Sequence, residues 1–458
     1  MTKPPGSLRD AAALIERREI SPVELTRACL ERIAARNDEL HAFITVTGER
    51  ALADAGRAEQ AIAKGHYRGP LHGIPVSVKD LVNVAGTPTT SGSRVPARMP
   101  MYDAPVVGHL LRAGAIIVGK TNLHEFALGT TSDETAFGAV LNPHDLTRSA
   151  GGSSAGAAVA LVEGMCYASV GTDTGGSIRI PAAACGITGL KPTLGDISAE
   201  GVVPLSTTLD HVGPMARTVE DTALMFHAML DGAPRLDRLP AEAVAPLWLG
   251  VPAPYFLDKL DDEVARLFAE TRAGLERAGH SVSDVTIAHA ERSADVYLHI
   301  LLPEAAWYHA PLLDAHADKY SPGVRVRLEM GRYVLAEDYL RALHARVALG
   351  RAVDKALEGL DALLLPALAI GAPPLGAATV TIGQSTEPVR AMMLRLTQLF
   401  NITGHPAIAI PCGKGRDGLP RAIQLVGHRG GTERLLAVAA TVERQIIGGE
   451  GSVGGVPG

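Results

Sequence analysis

Residues 149–190 read SAGGSSAGAAVALVEGMCYASVGTDTGGSIRIPAAACGITGL. Gly, Ser, Thr and Ala crowd this stretch as they would a flexible linker, yet Ala157–Val162 and Ile178 are apolar and need burial. The segment is therefore ordered backbone that must pass close to something, with glycine where a side chain would obstruct. Upstream, Gly73–Val78 is a short apolar run ending at Lys79. Asp103 is placed to cap a helix through Ala113, Gly114 to end it, and Ala115–Val118 forms a second apolar run. Earlier still, residues 7–45 read as two helices, the second opened by Ser21, Pro22 and Glu24 as N-cap, N1 and N3 of a capping box. Downstream come a strand (Leu247–Val251), a helix (Asp262–Ala278), a strand (Ser281–Val285) and further helices. Ala362–Leu365, Ala407–Ile410 and Ile423–Val426 return to the core, followed by an amphipathic helix from Thr432 to about Ile447. Apolar runs alternating with helices predict an α/β fold around a largely buried, mixed or parallel sheet.

The composition narrows the function. Of 458 residues, 47% are hydrophobic and 20% charged, which excludes a disordered chain and a coiled coil. Lys and Arg number 43 against 49 Asp and Glu, a net charge of −6 without a long basic run, so nucleic acid and anionic membranes find no electrostatic footprint. Cys29, Cys166, Cys185 and Cys412 are far apart and form no CxxC pair, and the amino terminus has no apolar signal segment; a reduced, cytoplasmic setting is expected. Ala362–Gln384 carries no charge and is long enough to span a bilayer, but Pro366, Gly371, Pro373, Pro374 and Gly376 break it. It reads as a buried strand followed by an irregular pocket wall. The tail, residues 448–458, reads as flexible.

Two motifs are decoys. Gly114, Gly119, Lys120 and Thr121 satisfy GxxxxGK[ST], but the middle of that loop would be Ala115–Val118, itself a strand, where backbone N–H groups are not free for phosphate. Gly152, Ser154 and Gly156 satisfy GxSxG, which would make Ser154 the nucleophile of an α/β-hydrolase-type esterase; the turn-rich Asn142–Asp145 and Arg148–Gly151 precede it where a strand should lead in. His124-Glu125 lacks a second His four residues on, and the histidines form no metal-ligand cluster.

A third constellation is sharper: Lys79, then Gly151-Gly152-Ser153-Ser154, then Gly171–Arg179. With Pro181-Ala182, Cys185–Thr193, Asp210–Met215, Gly119–Asn122, Asn401–Ala407 and Gln424–Gly427, these segments resemble the amidase signature family of Ser-cis-Ser-Lys amide hydrolases. The resemblance implies one large α/β domain, residues 1–447, with a central mixed sheet flanked by helices on both faces. Its signature core would span about 65–230, a variable substrate-pocket segment 235–340, and a return to the core 360–447. It further implies Ser177 as nucleophile, Ser153 as a bridging serine preceded by a cis peptide, and Lys79 as base. One departure shows: after the two serines the family usually has two glycines, and Ala155 replaces the first.

Physical chemistry supports these assignments. A serine hydroxyl needs a base, and lysine can be one only where burial lowers its pKa, as the apolar run before Lys79 allows; the competing reading pairs Lys79 structurally with Asp80. Successive N–H groups of Thr174, Gly175, Gly176 and Ser177 can form an oxyanion hole. Asp173, Arg179 and Ser154 are expected to brace the site, and Leu128, Gly129 and Thr130, with residues 235–340, to line the pocket. The expectation is a cofactor-free, metal-free hydrolase, an amidase, aryl acylamidase or urethanase, acting on a small amide or carbamate, alone or as a homodimer. The alternative is the glutaminase subunit of a tRNA-dependent amidotransferase. Those subunits usually carry an acid where this chain has Leu394, and glutamine's ammonium needs such a partner.

Overall fold

The protein is described by a computed structural model over residues 6–231 and 246–449. Its strands are β1 (Phe43–Val46), β2 (Pro75–Lys79), β3 (Ile116–Thr121), β4 (Leu141–Asn142), β5 (Asp145–Ser149), β6 (Ala168–Asp173), β7 (Thr188–Lys191) and β8 (His211–Ala216). They continue with β9 (Trp248–Pro252), β10 (Ser281–Val285), β11 (Ala362–Pro366), β12 (Thr379–Ile382), β13 (Ser385–Pro388), β14 (Ala407–Lys414) and β15 (Pro420–Val426). Eleven form one sheet in the order β1-β3-β2-β6-β8-β7-β14-β15-β11-β9-β10, while β4 with β5 and β12 with β13 form separate hairpins. The sheet is mixed: β3, β2 and β6 are parallel neighbours, as are β11, β9 and β10, and antiparallel pairs join the two groups.

Alternation along the strands builds a core on each face. In β14, Ala407 and Ala409 enter one cluster and Ile408 and Ile410 the other, and β11 and β15 divide in the same way. The second face is covered by α1 (Leu8–Glu16), α4 (Pro105–Ala113), α7 (Val219–Met229), α8 (Asp262–Arg277) and α14 (Thr432–Gly449), while α2 (Pro22–Leu40) and α3 (Gly48–Ala63) contribute to both clusters. The first face is covered by α5 (Ala155–Val162), α6 (Arg179–Cys185), α9 (Ser293–His316), α10 (Pro322–Gly331), α11 (Ala336–Ala356), α12 (Val389–Leu394) and α13 (Gln398–Ile402). The result is a single α/β domain with helices on both faces of a mixed sheet.

Several local expectations are met. Ser21 caps α2 in a complete capping box with Glu24, and Gly114 ends α4 in the left-handed region with φ of 90°. The decoy phosphate loop is strand β3. Others are corrected. Asp103 does not cap α4, whose N-cap is Ala104; its carboxylate accepts instead from the Ala85 N–H at 2.8 Å. Residues 7–45 contain β1 as well as two helices, and the stretch after Pro366 ends in the β12–β13 hairpin. No helix among the described residues is long and apolar enough to cross a membrane. The flexible-tail expectation falls, from residue 450, outside the described residues.

The sheet order brings the singled-out residues together. In the parallel pair β2–β6, Val78 lies beside Val170, so Lys79 at the end of β2 emerges next to Thr172 and Asp173 at the end of β6. Both carboxyl ends open onto one edge, where α/β sheets place their ligands.

Candidate active site

Lys79 has no accessible surface, and its Nζ donates to Ser153 Oγ and Thr172 Oγ1, each at 2.8 Å. Asp80 is not its partner: the Asp80 carboxylate faces Lys120 Nζ at 2.7 Å, so the structural pairing belongs to the next strand. Burial lowers the Lys79 amine from its ordinary value to about 7, against the pull of Asp173 and Asp210 in the other direction.

Ser153 follows a cis peptide bond after Gly152. Its carbonyl accepts from the His124 N–H at 3.2 Å, and a Cβ on Gly152 would stand 2.7 Å from Ser132 Oγ and 3.0 Å from the Thr130 backbone. The loop holding Leu128, Gly129 and Thr130, all buried, therefore presses directly on the turn that carries Ser153. The Ser154 N–H donates to the Ser177 carbonyl at 3.1 Å, tying the two serine-bearing turns together. Ser154's own hydroxyl donates to Thr172 O at 3.2 Å and accepts from Thr172 N at 3.4 Å, a bracing position at the start of α5. The preceding strand β5 belongs to a hairpin outside the main sheet, so the esterase elbow lacks its leading strand.

Residues 174–177 bridge β6 and α6. Among the described residues none of their four N–H groups has a hydrogen-bond partner. Thr174 Oγ1 donates to Asp210 Oδ1 at 2.6 Å, and Asp210 is itself held by the Leu205 and Ser206 N–H groups at 2.9 and 3.1 Å. Glycine at 175 is a matter of space, since a Cβ would lie 2.4 Å from Tyr297 Oη; at 176 a Cβ would lie 2.4 Å from Thr397 Oγ1, and the backbone there, with φ of +142°, disfavours a side chain as well. Thr397 Oγ1 also donates to the Gly175 carbonyl at 2.5 Å. Ser177 is 6% exposed, the single member of the Lys79, Ser153, Ser177 set with solvent contact.

Behind this loop, Asp173 and Arg179 are fully buried and paired, Nε to Oδ2 at 3.0 Å and Nη2 to Oδ1 at 2.9 Å. Burial pushes the Asp173 carboxyl up, but the Arg179 charge and hydrogen bonds, with Asn401, outweigh it and hold it well below the usual carboxylate range. Thr172, Asp210, Tyr297, Thr397, Asn401 and Gln424 also build the site. Sequence reading assigned them no role, although most stand in motifs already singled out; their signal is long-range contact, which periodicity does not carry.

A family model described as Amidase matches residues 24–436. An amidase of Pseudomonas putida is 38% identical over 429 residues, covering 91% of each chain. A glutamyl-tRNA(Gln) amidotransferase subunit of Desulfotalea psychrophila is 37% identical over 475 residues, covering 96% of each. Among solved structures, one described as an amidase superposes with a TM-score of 0.89 at 36% identity, covering 96% of this chain and 99% of that one.

Proposed function

The chain belongs to the amidase family of C–N hydrolases, and on that premise we propose that it cleaves a small carboxamide, anilide or carbamate through an acyl-enzyme, or carbamoyl-enzyme, on Ser177. The observation that carries this reading is a fully buried lysine whose Nζ donates to two hydroxyls and, among the described residues, pairs with no carboxylate at bonding distance. With its pKa lowered to about 7, Lys79 is neutral in much of the resting population at neutral pH and holds a lone pair for a proton. As the Ser177 oxygen attacks the carbonyl carbon, its proton passes to Ser153 Oγ while the Ser153 proton passes to Lys79 Nζ. Negative charge collects on the former carbonyl oxygen, within reach of the uncommitted N–H groups of Thr174 to Ser177. Collapse breaks the C–N bond; Lys79 returns its proton through Ser153 to the leaving nitrogen, and water then hydrolyses the acyl-enzyme by the same relay.

The second reading, a glutaminase subunit, is favoured by the likeness to amidotransferase subunits. Against it stands Leu394, whose Cδ2 lies 3.0 Å from the place of a Cβ on Gly175. An aliphatic side chain there offers glutamine's ammonium no partner.

Turnover of acetanilide, an aliphatic amide, glutamine and an aryl carbamate, followed by mass spectrometry with a fluorophosphonate probe, tests the proposal. Hydrolysis of a non-glutamine member with the probe on Ser177 is expected; a probe on Ser154, or turnover of glutamine alone, overturns it. The pH profile is a further test. Protonated Lys79 cannot accept a proton, so kcat/KM should rise through about pH 7 and stay high into alkaline solution. A midpoint above pH 9 would mean an ordinary, charged lysine and would remove the base from the scheme.

A further inference from the structure

Next to the oxyanion loop stands a guanidinium that the reaction does not use. Arg390 and Leu394 lie four residues apart on α12 and so share a face, and Leu394 closes against Gly175. Arg390 Nη1 donates to the Leu128 carbonyl at a long 3.4 Å, and Arg327 Nη1 donates to that same oxygen at 3.0 Å. Two cationic groups thus converge on the Leu128 loop. Glu134 pairs directly with one of them, facing Arg327 at 3.4 Å while also taking His124 Nε2 at 3.2 Å and the Gly323 N–H at 3.0 Å, and reaches Arg390 only through its longer-range charge. Among the described residues no carboxylate lies within ion-pairing distance of Arg390. Arg390 is half-buried, and desolvation, against the pull of Tyr297 and Glu134 and with help from Arg327, lowers its pKa to about 10; its charge in turn acts on the buried Tyr297 phenol that abuts Gly175.

Arg390 is half-buried beside the loop that carries Gly175, and a guanidinium's planar fork is shaped to hold a carboxylate with two parallel hydrogen bonds. Lone carbonyl contact at 3.4 Å leaves most of that capacity unspent. We infer that Arg390 anchors a carboxylate on the substrate, so that the enzyme selects amides bearing an anionic group apart from the scissile bond. The inference rests on the amidase reading and names its substrate class. Because Leu394 supplies no acid nearby, a zwitterionic α-amino acid fits less well than a simple carboxylate.

Matched pairs decide it. Succinamate against butyramide places the anion on the acyl side; 4-acetamidobenzoate against 4-methylacetanilide places it on the leaving side. In one pair at least, the anionic member should have a kcat/KM more than tenfold higher, carried by KM. In Arg390→Gln the ratio should collapse towards one, and Arg390→Lys should restore part of it, as a purely structural role would not. Ratios near or below one in both pairs for the unaltered enzyme overturn the inference, and that comparison holds even if Arg390→Gln fails to fold. So does an Arg390→Gln enzyme that is slower on both members with its ratio unchanged. Calorimetric titration of Ser177→Ala with the same four compounds reads the preference without turnover. Absence of hydrolysis with every compound would sink the amidase reading, whereas equal hydrolysis of both members with Ser177 labelled would sink the anion site alone.

Discussion

Ser177→Ala is expected to lower amide turnover by at least about four orders of magnitude while leaving the fold unchanged, because in the proposed reaction the missing oxygen is the atom that forms the acyl-enzyme and the remaining methyl group fills most of the same space. Lys79→Met should inactivate to a similar degree, but with an opposite and diagnostic effect on stability. A lysine whose amine is lowered to about 7 by burial favours the unfolded chain wherever the unfolded amine still binds a proton. That burden is full below pH 7, diminishes as pH rises and vanishes above about 10.5, the ordinary lysine value. Its size at low pH is on the order of 5 kcal/mol, offset in part by the hydrogen bonds that methionine cannot make to Ser153 and Thr172. Chemical denaturation of both proteins at pH 6 and pH 10 should therefore show the methionine variant gaining most at pH 6 and losing its advantage by pH 10. A variant less stable at pH 6 than at pH 10, relative to the parent, would mean that the amine is not desolvated. Amide hydrolysis retained near the parental rate would show that the base lies elsewhere.

The sheet was legible where its pattern was local. β10 begins and ends where alternation with its flanking turns puts it, at Ser281 and Val285, and the apolar runs Ala362–Leu365, Ala407–Ile410 and Ile423–Val426 lie within β11, β14 and β15, although β14 runs on to Lys414 and β15 begins at Pro420. β1 was hidden because four residues, Phe43–Val46, follow a helix with little polar punctuation, and its partner β3 lies more than seventy residues on. Asp103 misled for a related reason: a short acid before a helix is equally good at accepting from any nearby N–H, and tertiary packing gave it Ala85. The order of the strands was not readable at all, since β8 inserts between β6 and β7. In the site, a lysine after an apolar run and serines among glycines announce themselves. Thr172, Tyr297 and Arg390 do not, because each acquires its meaning from a neighbour on a distant segment, and residue type alone leaves a threonine, a tyrosine or an arginine indistinguishable from core or surface.

The largest expected loss of stability lies one layer behind the proposed nucleophile, at Arg179. Its five side-chain hydrogen bonds end on five acceptor atoms of four residues: Asp173 Oδ2 at 3.0 Å, Asp173 Oδ1 at 2.9 Å, Asn401 Oδ1 at 2.6 Å, the Thr397 carbonyl at 3.1 Å and Gln424 Oε1 at 2.6 Å. It therefore joins the end of β6 to α13, to the turn after α12 and to β15, without contact with solvent. Arg179→Met keeps most of the volume but leaves the Asp173 charge buried beside three orphaned acceptors, and breaking a buried pair in this way costs about 3–5 kcal/mol. Arg179→Lys should recover little, since one ammonium cannot reach five acceptors arranged around a plane. The pair also sets an acid limit. Asp173 is held well below the ordinary carboxylate range, so its contribution is fully present above about pH 4, the unfolded value, and is lost only as pH falls through the lower folded value. The parent should accordingly lose stability from this group only in strong acid, and Arg179→Met should be the weaker protein at neutral pH by several kcal/mol in denaturant titrations. Because Asn401 also holds the Asp173 carbonyl at 2.9 Å and Thr397 the Gly175 carbonyl, turnover in any folded fraction of Arg179→Met should fall through kcat rather than KM. A fully stable Arg179→Met enzyme with normal kcat would show that the loop carrying Ser177 is positioned by its own backbone and that the buried pair is dispensable.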